Sequence, residues 1–158
     1  MTKSVVARWD AGLAFEATSG LGGEVAMSGD QGAAAYRPSE LLLAALAGCT
    51  GMDVISILHK KRQFPATYEV EVVGSQQMGQ PAIFTHVTVE HVFGGEGLDQ
   101  SALHRAIELS ATRYCPVTAQ LSAGDLRISH RYRSAATPGG AEVVITGPHG
   151  AGLAPSPE

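Results

Sequence analysis

The stretch Pro38 to Arg62, PSELLLAALAGCTGMDVISILHKKR, decides how the rest of the chain must be arranged. From Leu41 to Ala47 it runs Leu-Leu-Leu-Ala-Ala-Leu-Ala, apolar in every direction around a helix. A helix with one apolar stripe faces one core, whereas a helix apolar all round is enclosed by protein. About 25 residues at 1.5 Å each would extend roughly 37 Å, long for a globular helix. Pro38 suits the first turn and Ser39 can cap it. Lys60, Lys61 and Arg62 place positive charge where the helix dipole favours it, and Phe64-Pro65 stops the run. Cys49, one of two cysteines, sits mid-helix between Gly48 and Thr50. Such a helix needs sheet or other helices around it.

Upstream, Ser4 to Trp9, Leu13 to Thr18 and Glu24 to Ser28 read as short strands, separated by Asp10-Ala11-Gly12 and the glycine-rich run Ser19 to Gly23. Downstream, Tyr68 to Val73 sets Tyr68, Val70 and Val72 on one face against Glu69 and Glu71. Ile83 to Phe93 sets Ile83, Val87, Val89 and Phe93 together, with Gly74 to Pro81 as the intervening hairpin loop. A second helix begins near Asp99, a suitable N-cap. It carries Leu103, Ile107, Tyr114, Val117 and Leu121 at helical spacing and ends at Gly124. Leu126 to Arg133 alternates Leu126, Ile128, His130 and Tyr132 against polar residues, and Glu142 to Thr146 is a candidate edge strand. The order is β-β-β-α-β-β-α-β, with two helices sharing one core.

With 158 residues the chain is long enough for one domain with a sizeable core. Charged residues make up 16% and hydrophobic ones 44%, a balance that leaves surface for a partner subunit to cover. A net charge of −4 gives no footprint for nucleic acid or an anionic membrane. No apolar run reaches 18 residues, so no membrane span is expected. The start MTKSVVARWD has no apolar signal region, which predicts a cytoplasmic protein. In a reducing compartment two cysteines are buried or redox-active rather than a permanent staple.

A cysteine in apolar surroundings has a raised pKa and is inert, and that plain packing role is one reading of Cys49. Gly48 and Gly51, however, leave space beside its sulfur, an unusual choice for a core helix. Asp53, one turn on, would raise a thiolate's pKa. Cys115 precedes Pro116, which removes a backbone hydrogen bond and either kinks the helix or restarts it. In a restart Cys115 is the cap and its thiol faces unpaired amides, which favours the thiolate. In a kink its sulfur merely packs.

Pro-Ser-Glu-Leu-Leu-Leu-Ala-Ala-Leu-Ala-Gly-Cys (Pro38–Cys49), followed by Arg-Tyr-Cys-Pro-Val (Arg113–Val117), resembles the OsmC/Ohr family of osmotically inducible and organic-hydroperoxide-resistance proteins. The likeness covers roughly Ser4 to Arg133. The strings GCTGMDVISIL, THVTVEHVF and IELSATRYC are most similar to the YhfA-like subgroup of that family. The resemblance implies an α+β domain over residues 1–147, its two central helices wrapped by antiparallel sheets in an intertwined homodimer; the Gly- and Pro-rich end, residues 148–158, reads as a disordered tail. It also implies a thiol peroxidase without a cofactor: Cys49 attacks an organic hydroperoxide and becomes a sulfenic acid, Cys115 resolves it as a disulfide, and an external dithiol reduces that.

The chain departs from the family pattern at one position. Active members carry a glutamate directly after the helix-opening proline, paired with an arginine that supports the thiolate; here that position is Ser39. Glu40 lies nine residues before Cys49, about 180° around the helix. Arg37 and Arg8 are candidate supporting cations. The alternative function is therefore a non-catalytic protein that binds a small apolar or electrophilic molecule, its cysteines unactivated; a third is a structural relative whose cysteines only pack. The six histidines, at 59, 86, 91, 104, 130 and 149, show no metal-ligand spacing and read as strand or surface residues, so no metal site is expected.

Overall fold

The computed structural model describes residues 1–148, so the expected tail lies, from residue 149 on, outside the described residues. The fold is α+β, and the chain divides into two compact units, Met1–Leu42 and Leu43–Glu158.

In the first unit β1 (Val5–Trp9), β2 (Ala14–Ser19) and β3 (Glu24–Ser28) form an antiparallel meander in that order. The first turn uses Gly12 at φ +53°, a conformation that glycine adopts without the Cβ penalty. The sheet has little core of its own: β1 is exposed at all five positions, and only Ala17 and Ser28 are buried on the three strands.

α1 (Pro38–Lys60) starts in this unit and continues through the second. Pro38 is the first helical residue, which puts Ser39 inside the helix and not at its cap. The capping contact comes instead from Glu40, whose carboxylate accepts from the Arg37 amide at 2.8 Å. At the other end Gln63 N–H reaches Leu58 O (2.9 Å) and Arg62 N–H reaches His59 O (3.0 Å). This is the Schellman arrangement, with Arg62 at φ +58° in the place glycine usually takes. The helix therefore stops at Lys60, ahead of the expected Arg62.

The second unit is built on a four-stranded sheet, β4 (Thr67–Gln76), β5 (Phe84–Gly94), β6 (Arg127–Ser134) and β7 (Thr137–Thr146), in that spatial order. β4–β5 and β6–β7 pair antiparallel, but β5–β6 pair parallel, with His86 opposite Arg127 and Val92 opposite Arg133. The all-antiparallel expectation fails there because a parallel pair needs a long crossover, and the second helical region supplies one. That region is α2 (Gln100–Leu109), a π-helical turn (Ser110–Tyr114) and α3 (Pro116–Leu121). β7 is twice as long as the run Glu142 to Thr146 suggests, because it bends at register shifts opposite His130 to Ser134.

Two buried clusters hold this unit together. Val54 and Leu58 of α1 pack with Leu103, Ala106 and Ile107 of α2, and with Phe93 and Tyr132 from the sheet. Leu46 packs with Val87, Val89, Ile128, Leu126 and Cys115. Each fully buried aliphatic side chain stabilises the fold by about 1.5–3 kcal/mol relative to exposure. The inward face of the sheet also takes His91 and His130, both fully buried, where the sequence suggests strand or surface histidines.

α1 is not enclosed. Leu46, Thr50, Val54 and Leu58 are its buried residues, a single stripe, while Leu42 and Met52 stand exposed. By length and composition this helix passes the test for a membrane span, as apolar core helices also do, and its inner stripe is sealed into the protein core.

Candidate functional site

Cys49 and Asp53 lie one turn apart on α1, and that spacing puts both side chains on one face. Cys115 reaches the same place from the crossover. The π-helical turn closes with Cys115 N–H on Ser110 O (2.9 Å), and the backbone then leaves the helix at φ −73°, ψ 105°. Pro116 restarts it as the first residue of α3. Of the two outcomes open for Pro116, restart is the one observed. Cys115 is the N-cap, its Sγ accepting from Thr118 N–H at 3.3 Å. The π-turn adds a residue to the helical phase, so Tyr114 turns outward and is exposed, not buried in the stripe with Leu103 and Ile107.

The two sulfurs and an Asp53 carboxylate oxygen all lie within 4.8 Å of one another. Cys115 is buried and Cys49 is partly accessible, and both are free thiols. Burial, the adjoining Cys115 thiol and the Asp53 charge push the Cys49 thiol up to about 11, against an opposing hydrogen bond from the Val117 amide. None of these influences is a cation. Asp53 in turn is pushed above the usual carboxylate range by burial, while Ser110 acts to hold it down. Ser110 Oγ donates to Asp53 Oδ2 at 3.1 Å and lies 3.0 Å from Thr50 Oγ1. Ser110 and Thr50 carry no chemical motif in the sequence, yet both continue apolar stripes, Leu103–Ile107–Ser110 and Leu46–Thr50, and are fully buried.

The two glycines differ. A Cβ at Gly48 would meet nothing within 4 Å, so space is open there, whereas one at Gly51 would stand 3.3 Å from Val70 Cγ2. Gly51 lets α1 approach β4 closely. An open cleft of about 470 Å³ adjoins the site, lined by Asp53, Ile57, Lys60, Lys61, Leu109 and Tyr114. Below the helices Tyr68 Oη lies 2.6 Å from His91 Nδ1. Burial, then the Asp53 charge, pushes the Tyr68 hydroxyl above its ordinary range, so it stays protonated and donates to that nitrogen.

Arg37 and Arg8 both belong to the first unit. Arg37 donates to Ser28 O at 3.2 Å, and Arg8 sits exposed on β1 opposite Glu16.

The family model described as OsmC-like protein matches residues 29–130, about two thirds of the chain. The chain belongs to the OsmC-like family. Protein YhfA of Escherichia coli is 36% identical to this OsmC-like chain over 125 residues, spanning 79% of this chain and 92% of that protein. A hypothetical protein from Aquifex aeolicus, known from its crystal structure, superimposes with a TM-score of 0.73 at 27% identity, covering 85% of this chain and 98% of its own. The organic hydroperoxide resistance protein OhrB of Bacillus subtilis shares the fold, with a TM-score of 0.58 at 18% identity over 84% of this chain and 98% of its own.

Proposed function

We propose that this OsmC-like protein is a thiol-dependent peroxidase that reduces organic hydroperoxides, with Cys49 as the attacking thiol and Cys115 as the resolving one. The observation that carries the reading is two thiols from separate elements held within 4.8 Å of each other, in a fold shared with hydroperoxide resistance proteins. The Cys49 thiolate would attack the outer oxygen of the hydroperoxide. The O–O bond breaks, the alcohol leaves with a proton, and Cys49 becomes a sulfenic acid. Cys115 would then attack that sulfur, expelling water and forming a disulfide, which an external dithiol reduces by exchange. Burial first, then the Cys115 thiol and the Asp53 charge, raise the Cys49 thiol to about 11, so it is only slightly ionised at neutral pH and a nearby cation would favour the reactive thiolate. Arg37 and Arg8 are the candidates, each open to substitution by Ala.

The same reading makes the working species a cytoplasmic homodimer, in which a second copy covers the exposed apolar face of α1 that carries Leu42 and Met52.

The test is stopped-flow reaction of the reduced protein with cumene hydroperoxide, beside Cys49→Ser and Cys115→Ser. Wild type should lose both thiols, Cys115→Ser should accumulate a sulfenic acid, and Cys49→Ser should stay inert. An unchanged thiol titre in the wild type would overturn the peroxidase. It would favour the second reading, a non-catalytic binder of small apolar or electrophilic molecules, which the raised Cys49 pKa and Ser39 support.

A further inference from the structure

Cys49, Asp53 and Cys115 bring two sulfurs and a carboxylate oxygen within 4.8 Å of one another, a donor set suited to a metal ion. We propose that these three residues form a site for a thiophilic divalent cation such as zinc, with the fourth coordination position left to water or another ligand. The inference does not depend on the peroxidase reading.

The chemistry of the donors comes first. Thiolate sulfur selects soft or borderline ions, and zinc accepts mixed sulfur and carboxylate ligation in a tetrahedron. Three protein ligands plus one open position is the pattern of an exchangeable site, whereas structural zinc sites close all four. The histidine spacing that the sequence lacks does not bear on this set, which contains no histidine.

The geometry comes next. Two thiolates on one tetrahedral zinc stand about 3.8 Å apart, and a thiolate and a carboxylate oxygen about 3.5 Å. The donor atoms here already lie within 4.8 Å of one another, so closing the set takes side-chain movements on the order of 1 Å. Two of the three come from positions i and i+4 of α1, the spacing that aims two ligands at one point from a helix. The third sits at the break where the backbone leaves the π-turn, so its direction is fixed by Pro116.

Metal ligands are oriented by hydrogen bonds behind them. Ser110 donates to Asp53 Oδ2 and so orients the carboxylate. Thr50 shares that serine hydroxyl, and both are fully buried, so the pair cannot drift. Thr118 N–H donates to the Cys115 sulfur, a bond that a thiolate ligand strengthens. Asp53 also borders the open cleft, which gives an ion a route in. On binding, each thiol releases its proton to solvent and the ion takes its place; no electrons move. Ion and disulfide exclude each other, because both use the same sulfur lone pairs.

The experiment is an anaerobic titration of the reduced full-length protein with cadmium, read by the thiolate-to-metal charge-transfer band in the ultraviolet. Competition with zinc follows it. The expected result is one ion per chain with a sharp endpoint, displaced by zinc, and weakened at least about tenfold in Asp53→Asn. Cys49→Ser and Cys115→Ser should each lose the sharp endpoint, and circular dichroism of each variant checks its fold. No band at one equivalent of cadmium in wild type overturns the site. A band equally tight in Asp53→Asn, or in either folded cysteine variant, overturns the three-donor assignment. Hydroperoxide is absent throughout, so a failed titration leaves the peroxidase test untouched, and a failed peroxidase leaves this one.

Discussion

Tyr68 and His91 show how much of this protein's behaviour rests on single polar atoms in a dry place. The Tyr68 hydroxyl is the partner of His91 Nδ1, and among the described residues His91 Nε2 has no partner of its own. Removing the hydroxyl leaves a fully buried ring nitrogen unpaired, which costs about 1–3 kcal/mol. Tyr68→Phe is therefore expected to lower the unfolding free energy measured in urea by that amount without altering far-ultraviolet circular dichroism. A shift under about 0.5 kcal/mol would mean the ring finds another partner. Both histidines were readable in principle. The alternation of Val87, Val89 and Phe93 places His91 on their face, and Leu126, Ile128 and Tyr132 do the same for His130. His130 stands on that face in the sequence reading already; at His91 residue type misleads, since histidine is intermediate between core and surface residues and its burial does not follow from type. The direction of the Asp53 effect on the Cys49 thiol, by contrast, follows from i, i+4 spacing alone, although burial and then Cys115 raise that thiol more.

Among the elements, α1 was the most legible and the most misread. Its start, its length and its terminal region follow from Pro38, the apolar run and the basic end. Its stop does not, because nothing in the sequence marks Arg62 as a left-handed residue. A non-glycine residue in that conformation costs about 1–2 kcal/mol, of which glycine's greater freedom in the unfolded chain returns part. Arg62→Gly is thus expected to stabilise the protein by up to about 1 kcal/mol, seen as a higher melting temperature. A loss of stability would show that the Arg62 side chain contributes more than its backbone strain costs. The all-round apolar character of α1 predicts enclosure, whereas the single chain buries one stripe, so the helix carries information about a partner as well as about the fold. In the proposed dimer Met52→Glu should place a charge in the interface. Analytical ultracentrifugation should then find wild type at dimer mass and the variant at monomer mass; a monomeric wild type would refute the interface. The restart at Pro116 was visible as one of two outcomes, because local sequence cannot show how many residues the turn before it holds.

For the molecule as a whole, the buried histidines set the response to acid. Burial, then the neighbouring His130, depresses His91 to about 3, and burial depresses His130 to about 4. In the unfolded chain both titrate near 6.5. Above that pH both states are neutral and stability is flat with respect to these groups. As pH falls from about 6.5 towards 4, the unfolded state takes up as many as two protons that the folded state refuses. Stability then drops by up to about 2.7 kcal/mol per pH unit. Urea unfolding at pH 7.5, 6 and 5 measures this. His130→Leu, which also removes two ring nitrogens unpaired among the described residues, should roughly halve the slope at little cost at neutral pH. A flat profile from pH 7 to 5 would rule the mechanism out. At this scale the element order and the strand faces could be read from sequence. The parallel β5–β6 pair could not, because pairing between distant strands leaves no local mark.

That crossover has a mechanical side. Cys49 precedes β4 and Cys115 follows α2, so a disulfide between them ties off a covalent loop containing β4, β5 and α2. A chain pulled from its two ends could straighten everything outside the loop and nothing within it. With about 65 residues held back, the oxidised chain should extend roughly 220 Å less than the reduced one. Single-molecule stretching would read that difference directly. An unfoldase threading the chain from either terminus would meet the same closed loop, so the oxidation state of two thiols would decide how much of the chain can be drawn out to full length.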